Sequence, residues 1–214
     1  MRLNSNDYQT PTYVAKAMRM LADEYLADNV LDPGKLRWCE PTAGIGLIAE
    51  QMPENTDCYE VNDTYFEKHR AHHCRWYQQS FLDCTQTYDV FLANPPFSKN
   101  PTTGKTNALP FIEKMAECLA DDGFILILIP AVQPHTKGLQ TALKRCKLNI
   151  NYEYKITGRD RFINPLTSKP DKQGAKQPSS IFRLSKHLNS YRGWKTCLID
   201  PGSLGTLFPN LYMQ

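Results

Sequence analysis

Apolar residues recur at helical spacing from Val14 through Ala17, Met18, Leu21 and Ala22, and Thr10 followed by Pro11 reads as a helix cap with proline in the first helical position. This pattern predicts a helix running to about Asp28, where Pro33-Gly34 breaks the chain. A short strand is expected at residues 36–39, running into Glu40-Pro41-Thr42-Ala43-Gly44-Ile45-Gly46 and a second helix through Leu47-Ile48-Ala49-Glu50. Strands at 58–61 and 76–79 bracket an expected helix over 64–75. Tyr88-Asp89-Val90-Phe91-Leu92-Ala93 is a nearly continuous apolar run, as is the segment from Phe124 to Pro130. Continuous rather than alternating apolarity marks parallel strands buried on both faces. Between them, Leu109, Ile112, Met115, Ala116 and Leu119 lie at helical spacing, and Gly123 supplies the stop. Two more strands are expected at 151–156 and 180–184. The alternation predicts an α/β fold, a doubly wound, mostly parallel sheet with helices on both faces. One domain spanning residues 1–214 is expected, with 157–177 a mobile basic loop and 196–214 unassigned.

Composition narrows the class. A hydrophobic share of 41% with 22% charged residues is that of an ordinary globular protein. The longest apolar run is far short of the ~20 residues of a membrane helix, and no apolar signal region opens the chain, so a cytoplasmic location is expected and no membrane partner. Seven cysteines without a Cys-x-x-Cys pair read as buried thiols. His69, His72, His73 and Cys74 lack a paired second half, so no metal is assigned. Oligomeric state is not legible.

The net charge of +3 is unevenly spread. Residues 134–195 carry 14 Lys and Arg against 3 Asp and Glu, which points to a polyanion as partner or to a solvated basic surface.

Candidate chemistry sits at strand ends. Asn94-Pro95-Pro96-Phe97 follows an expected strand, where open α/β sheets bind ligands. The two prolines remove two backbone donors, so the Asn94 side chain and the Pro95 carbonyl can act as acceptors for a planar amine. The bend through Gly44 and Gly46 lets backbone approach a ligand, and Glu60 ends the next strand where a ribose diol would be held. Ala49 replaces the third glycine of a dinucleotide fingerprint, which argues against NAD. The segment Pro101-Thr102-Thr103-Gly104-Lys105-Thr106 imitates a phosphate loop, but Lys99 stands where its first glycine belongs.

Glu40-Pro-Thr-Ala-Gly-Ile-Gly46, Glu60 and Asn94-Pro-Pro-Phe97, in this order, resemble the S-adenosylmethionine-dependent amino-methyltransferases, especially DNA adenine N6 methylases. Asp7-Tyr8-Gln9-Thr10-Pro11 is similar to the cofactor motif that precedes their glycine loop, and Gly158-Arg159-Asp160-Arg161-Phe162 with Gln177-Pro178-Ser179-Ser180 resembles short phage-encoded members. The resemblance implies S-adenosylmethionine as cofactor, with Tyr8, Thr10 and Pro11 at its methionine end and Glu40, Pro41, Thr42, Ala43, Gly44 and Gly46 lining it. Glu60 would bind the ribose, Val61 would pack on the adenine, and Ser80-Phe81 stand where the family places an acidic residue before its Phe-Leu pair. Asp83 is a second substitute for that acid.

The implied reaction is methyl transfer to the exocyclic N6 of a flipped adenine in DNA, with Asn94, Pro95, Pro96 and Phe97 as the catalytic group. Lys99, Lys105, Lys137, Arg159, Arg161, Lys169, Lys172 and Lys176, with Lys144 and Arg145 beside them, would contact phosphates. RNA adenine N6 or guanine N2 as acceptor, and a nucleic-acid-binding protein with a methylase fold and no activity, remain open alternatives.

Overall fold

Side chains on the longest strand divide the apolar residues of this chain between two faces. The computed structural model describes residues 9–98, 102, 104, 106–156, 163–164, 169–170, 178–187 and 195–199. Within β5 (Leu119–Pro130), Phe124, Leu126 and Leu128 turn toward α1 (Thr12–Asp28), joining Val14, Met18 and Leu21 in one core cluster. Ile125, Ile127 and Ile129 turn the other way, onto α3 (Ala108–Cys118) and α4 (Lys137–Arg145), with Ile112, Met115 and Leu143 in the second cluster. All six are at most 2% exposed, and each such burial contributes about 1.5–3 kcal/mol. Continuous apolarity on this strand therefore reflects two covered faces.

The remaining strands are β1 (Trp38–Glu40), β2 (Asp57–Tyr59), β3 (Arg75–Tyr77), β4 (Tyr88–Ala93), β6 (Asn149–Ile156), β9 (Ser179–Ser185) and β10 (Lys195–Ile199). They form with β5 a sheet in the order β10-β6-β9-β5-β4-β1-β2-β3. Strands β3, β2, β1, β4 and β5 run parallel, β9 is antiparallel to both β5 and β6, and β10 is parallel to β6. The doubly wound, mostly parallel sheet with helices on both faces is thus the observed fold. A short separate pair, β7 (Ile163–Asn164) with β8 (Lys169–Pro170), lies within the segment expected to be a loop. The chain leaves β1 toward β2 and β3 on one side, then returns to place β4 on the other. That reversal opens a crevice beyond the carboxyl ends of β1 and β4, where open sheets take ligands.

Several local expectations are corrected. The helix expected at Leu47–Glu50 is a single 3-10 turn, Ala49–Gln51. Only six residues separate Gly46 from Pro53, and proline disfavours helical backbone in the residue before it. The helix expected over 64–75 is the five-residue α2 (Asp63–Glu67), capped by the Asn62 side chain accepting from Tyr65 N at 3.2 Å. Beyond it the backbone turns back, and Arg70 N bonds Ile45 O at 3.1 Å. Pro11, not Thr10, occupies the cap position of α1 and makes no side-chain capping bond. Helix α4 and strand β10 were not anticipated. Among the described residues no helix is long and apolar enough to cross a membrane.

The end of α1 carries backbone strain. Val30 lies in the left-handed region at φ 56°, with Val30 N bonding Ala27 O at 3.1 Å and Leu31 N bonding Leu26 O at 2.9 Å. This is a helix stop that glycine normally fills, yet its β-branched side chain is 93% exposed and gains little packing in return. Val30→Gly is expected to stabilise the fold by about 1 kcal/mol, since left-handed backbone costs an L-residue roughly 1–2 kcal/mol. A melting midpoint raised by about 2–4 °C would register it; an unchanged or lower midpoint would contradict the assignment of strain.

Candidate active site

One cavity of about 290 Å³ opens at the reversal point of the sheet, near the lower end of the roughly 300–1,000 Å³ range of small-ligand pockets. Its floor is the glycine bend. Ala43 N bonds Tyr59 O at 2.9 Å and Gly46 N bonds Ala43 O at 2.8 Å, which ties the bend to the end of β2. Gly44 and Gly46 both have positive φ, 57° and 85°. A Cβ on Gly44 would meet Gln9 Oε1 at 2.0 Å, and one on Gly46 would meet the Trp76 ring at 3.0 Å. Glycine is required here by close approach as well as by conformation.

Glu60 closes one side. Its Oε2 accepts from Gly44 N and its Oε1 from Asn62 N, both at 2.7 Å. These two bonds hold the carboxylate at the rim of the cavity. Val61, 64% exposed, stands beside it. Across the cavity lie Ser80, Phe81 and Phe111, the last carried by α3. The Ser80 oxygen accepts from Leu82 N at 3.1 Å and caps the 3-10 turn Phe81–Asp83, while Asp83 points to solvent. Of the two substitutes for the family's acidic residue, only Ser80 reaches the cavity.

Asn94 enters from the end of β4. Its Nδ2 donates to Thr10 Oγ1 at 2.8 Å, and Gln9 Oε1 accepts from Ile45 N at 3.0 Å. Two consecutive side chains thus staple the Asn94 turn to the glycine bend. Thr10, 4% exposed, is committed to Asn94, which explains why it does not cap α1. With Nδ2 engaged, Asn94 Oδ1 is left buried without a hydrogen-bond partner, as are Glu40 Oε2 and Thr42 Oγ1. All three residues line the cavity. Buried polar atoms are nearly always satisfied, so three orphaned acceptors around one cavity mark the places where a ligand's donors or positive charge belong.

Glu40 is 1% exposed, and burial drives its carboxyl well above the usual carboxylate range, with Cys74 and Glu60 adding to the rise against a bond from Ala49 backbone. Burial thus favours the protonated form of Glu40, and an approaching positive charge would favour the carboxylate.

The structure brings Thr10, Glu40, Pro41, Thr42, Ala43, Gly44, Glu60, Val61, Ser80, Phe81, Asn94 and Pro96 to this one cavity. Gly46 lies behind the bend against Trp76, Pro11 is buried at the start of α1, and Pro95 is buried in the turn. Phe97 packs partly buried between the two core clusters. Tyr8, Lys99, Lys105, Arg159, Arg161, Lys172 and Lys176 lie outside the described residues, as does the side chain of Lys169. Lys137 is exposed at the first turn of α4. Other cations of the basic segment are engaged internally: Arg145 with Glu113, Lys186 with Asp121 at 3.2 Å, and Arg183 between the rings of Tyr25 and Tyr152 at 4.2 and 4.3 Å. His69 packs on Trp76 at 4.4 Å, and His73 Nε2 lies 3.1 Å from Met52 O. Among the described residues no group of three or more His, Cys, Asp or Glu side chains is placed to hold a metal ion.

Sequence reasoning did not select Tyr59, Tyr65 or Phe111, which also line the cavity. Each carries a core-like signal: Tyr59 is 3% exposed, stacked on Tyr77 at 5.0 Å and bonded to the Tyr88 hydroxyl at 2.9 Å.

The sequence model of the family described as "Methyltransferase small domain" matches residues 43–158. Among solved structures the chain is similar to a putative class I S-adenosylmethionine-dependent methyltransferase from Listeria monocytogenes, at 13% identity and TM-score 0.69, covering 99% of this chain and 73% of that one. A modification subunit of a putative type I restriction enzyme from Vibrio vulnificus matches at 11% identity and TM-score 0.64, covering 99% and 54%. A putative RNA methyltransferase from Pyrococcus horikoshii matches at 15% identity and TM-score 0.62, covering 85% and 87%. A search of curated proteins gives no match. Family and fold together assign S-adenosylmethionine as the cofactor. The residues present fit it: orphaned acceptors for its cationic end, a rim carboxylate for a ribose and apolar walls for a planar base.

Proposed function

Because the chain belongs to the methyltransferase small domain family, we propose that it transfers a methyl group to the exocyclic N6 amine of adenine in DNA. One arrangement supports this reading most. Asn94 Oδ1, a buried acceptor without a hydrogen-bond partner, lines the same cavity as Gly44 and Glu60. An aromatic amine is a poor nucleophile because its lone pair is delocalised, and an acceptor aimed at its N–H groups stabilises the nitrogen as positive charge develops. Thr10 accepts from the Asn94 NH2, so in this reading the amide oxygen is the group that serves the amine. When bound, S-adenosylmethionine supplies an activated methyl on a sulfonium sulfur. Pro96 bounds the approach of the base, Glu60 takes the ribose hydroxyls, and Glu40 faces positive charge. The basic segment supplies phosphate contacts that give affinity without sequence choice.

The test is to incubate the protein with methyl-labelled S-adenosylmethionine and equal masses of unmethylated DNA, RNA and protein, then identify the labelled nucleoside. N6-methyladenine in DNA is expected. Label confined to RNA would move the acceptor to the second reading, and no label anywhere would leave a binding protein with a methylase fold.

Glu40 adds a pH-dependent expectation. Because its folded pKa is raised, its contribution to stability is complete below the ordinary carboxylate pKa and is lost as pH rises through the folded value. Binding a cationic donor group favours the ionised form, so donor binding should be accompanied by release of protons to the buffer. Calorimetry in two buffers of different ionisation enthalpy reads this directly. Glu40→Gln should abolish the buffer dependence, and a wild-type binding enthalpy independent of buffer would contradict the role given to Glu40.

A further inference from the structure

Two anchors flank the Asn94 turn. Strand pairing of β4 with β5 ends at Ala93 opposite Ile127, and Pro95 and Pro96 have no N–H to donate. At its entrance the turn is held by Thr10. At its exit, Asn107 N donates to Ser98 O at 2.8 Å, Asn107 Nδ2 donates to Ser98 Oγ at 2.7 Å, and Thr106 Oγ1 donates to Phe97 O at 3.4 Å. These contacts join Phe97 and Ser98 to Thr106 and Asn107, a neck that ties the exit of the turn to the start of α3.

Asn107 forgoes the bond usual for its position. It occupies the cap position of α3, for which asparagine is among the preferred residues, yet its side chain makes no capping bond. The amide is turned away from the helix to grip Ser98 instead. Thr106 reaches both sides, its oxygen accepting from Ala108 N at 3.3 Å. One helical turn beyond Asn107 stands Phe111, a wall of the cavity. The neck therefore ties two walls together, the Asn94–Phe97 turn and the first turn of α3.

We propose that Asn107 is a positioning residue for the transfer, acting through Ser98 to fix the Asn94 turn relative to α3. The proposal rests on the methyl-transfer reading above and adds a residue that touches neither donor nor acceptor. Asn107→Ala and Ser98→Ala should each lower turnover at saturating donor and acceptor by about tenfold or more, since misplacement of about 1 Å at a reacting group can cost about a hundredfold. The donor dissociation constant, measured by calorimetry, should change by less than about twofold. Because both changes remove one interaction, the double variant should be no slower than the slower single one. Loss of donor affinity and of thermal stability in step with turnover would indicate a merely structural contact and overturn the proposal, as would multiplicative effects in the double variant or wild-type turnover in Asn107→Ala. Amide hydrogen exchange separates this from failure of the reaction itself. If the wild-type protein methylates nothing, the methyl-transfer reading fails, and the Asn107 amide still tests the neck: it should be protected in wild type and exchange about tenfold or more faster in Ser98→Ala, and equal rates would overturn the clamp.

Discussion

Asn94→Ala is expected to lower methyl transfer by about a hundredfold to a thousandfold, the range seen when one preorganised stabilising group is removed from an active site. The donor dissociation constant should stay within a few fold. The expectation follows from a division of labour within one amide: Nδ2 is engaged by Thr10 at 2.8 Å, and Oδ1 is the buried acceptor left for a ligand. Alanine removes both groups but leaves the glycine bend and Glu60 in place, because those are held by Gln9, Tyr59 and the Glu60 carboxylate. Asn94→Asp keeps an oxygen at the position, and the Thr10 hydroxyl can donate to its other oxygen, so it should retain more activity than alanine. Turnover in Asn94→Ala close to wild type would show that the amine is held elsewhere.

Gly44→Ala should act on the other half of the reaction. Its Cβ would lie 2.0 Å from Gln9 Oε1, and its φ of 57° is strained for any L-residue. Gln9 would have to withdraw, leaving Ile45 N without its 3.0 Å partner and detaching the segment that also carries Thr10. A left-handed penalty of roughly 1–2 kcal/mol and a lost buried hydrogen bond of about 1 kcal/mol together predict donor affinity weakened by about 30- to 100-fold, with a lowered melting midpoint. Gly104→Ala is the control: Gly104 also has positive φ, but nothing lies within 4 Å of its Cβ position and it does not line the cavity. Donor affinity in that variant should be unchanged. Equal donor binding in Gly44→Ala and wild type would mean the bend is not the cofactor floor.

The parts of the fold that were legible in the sequence are those whose local signal and tertiary environment agree. Strand β4 and the apolar half of β5 are continuous runs because helices cover both faces, and α1 shows its period because one stripe meets the sheet. The elements around the glycine bend were misjudged because contacts, not propensity, set their length. Residues 47–52 begin with helix formers but are confined between a bend fixed to Tyr59 and the proline at 53. Residues 68–74 continue a helical pattern, yet Arg70 N bonds Ile45 O and Trp76 Nε1 takes Ala71 O, which turns the chain back under the bend. Helix α4 buries only Leu139, Ala142 and Leu143, a short stripe within a segment whose charge draws the eye.

At the site, the order Glu40, Gly44, Glu60, Asn94 carried the reading because the sheet reversal places consecutive strand ends side by side. Thr10 shows the limit of local rules. Its capping signature is sound in isolation, and a partner 84 residues away in sequence claims the hydroxyl instead. Phe111 and Tyr59 were hidden for a related reason: a cavity wall on a regular element has the same period as core.

In the proposed reaction the glycine bend and the Asn94 turn face one another across a single bound donor. Crystallisation with S-adenosylhomocysteine tests it most directly. The ribose hydroxyls are expected on Glu60, the amino-acid end toward Glu40 and Thr42, and the sulfur between the bend and Asn94 Oδ1. A ligand lodged outside the cavity, or seated with its sulfur turned away from Asn94, would contradict it.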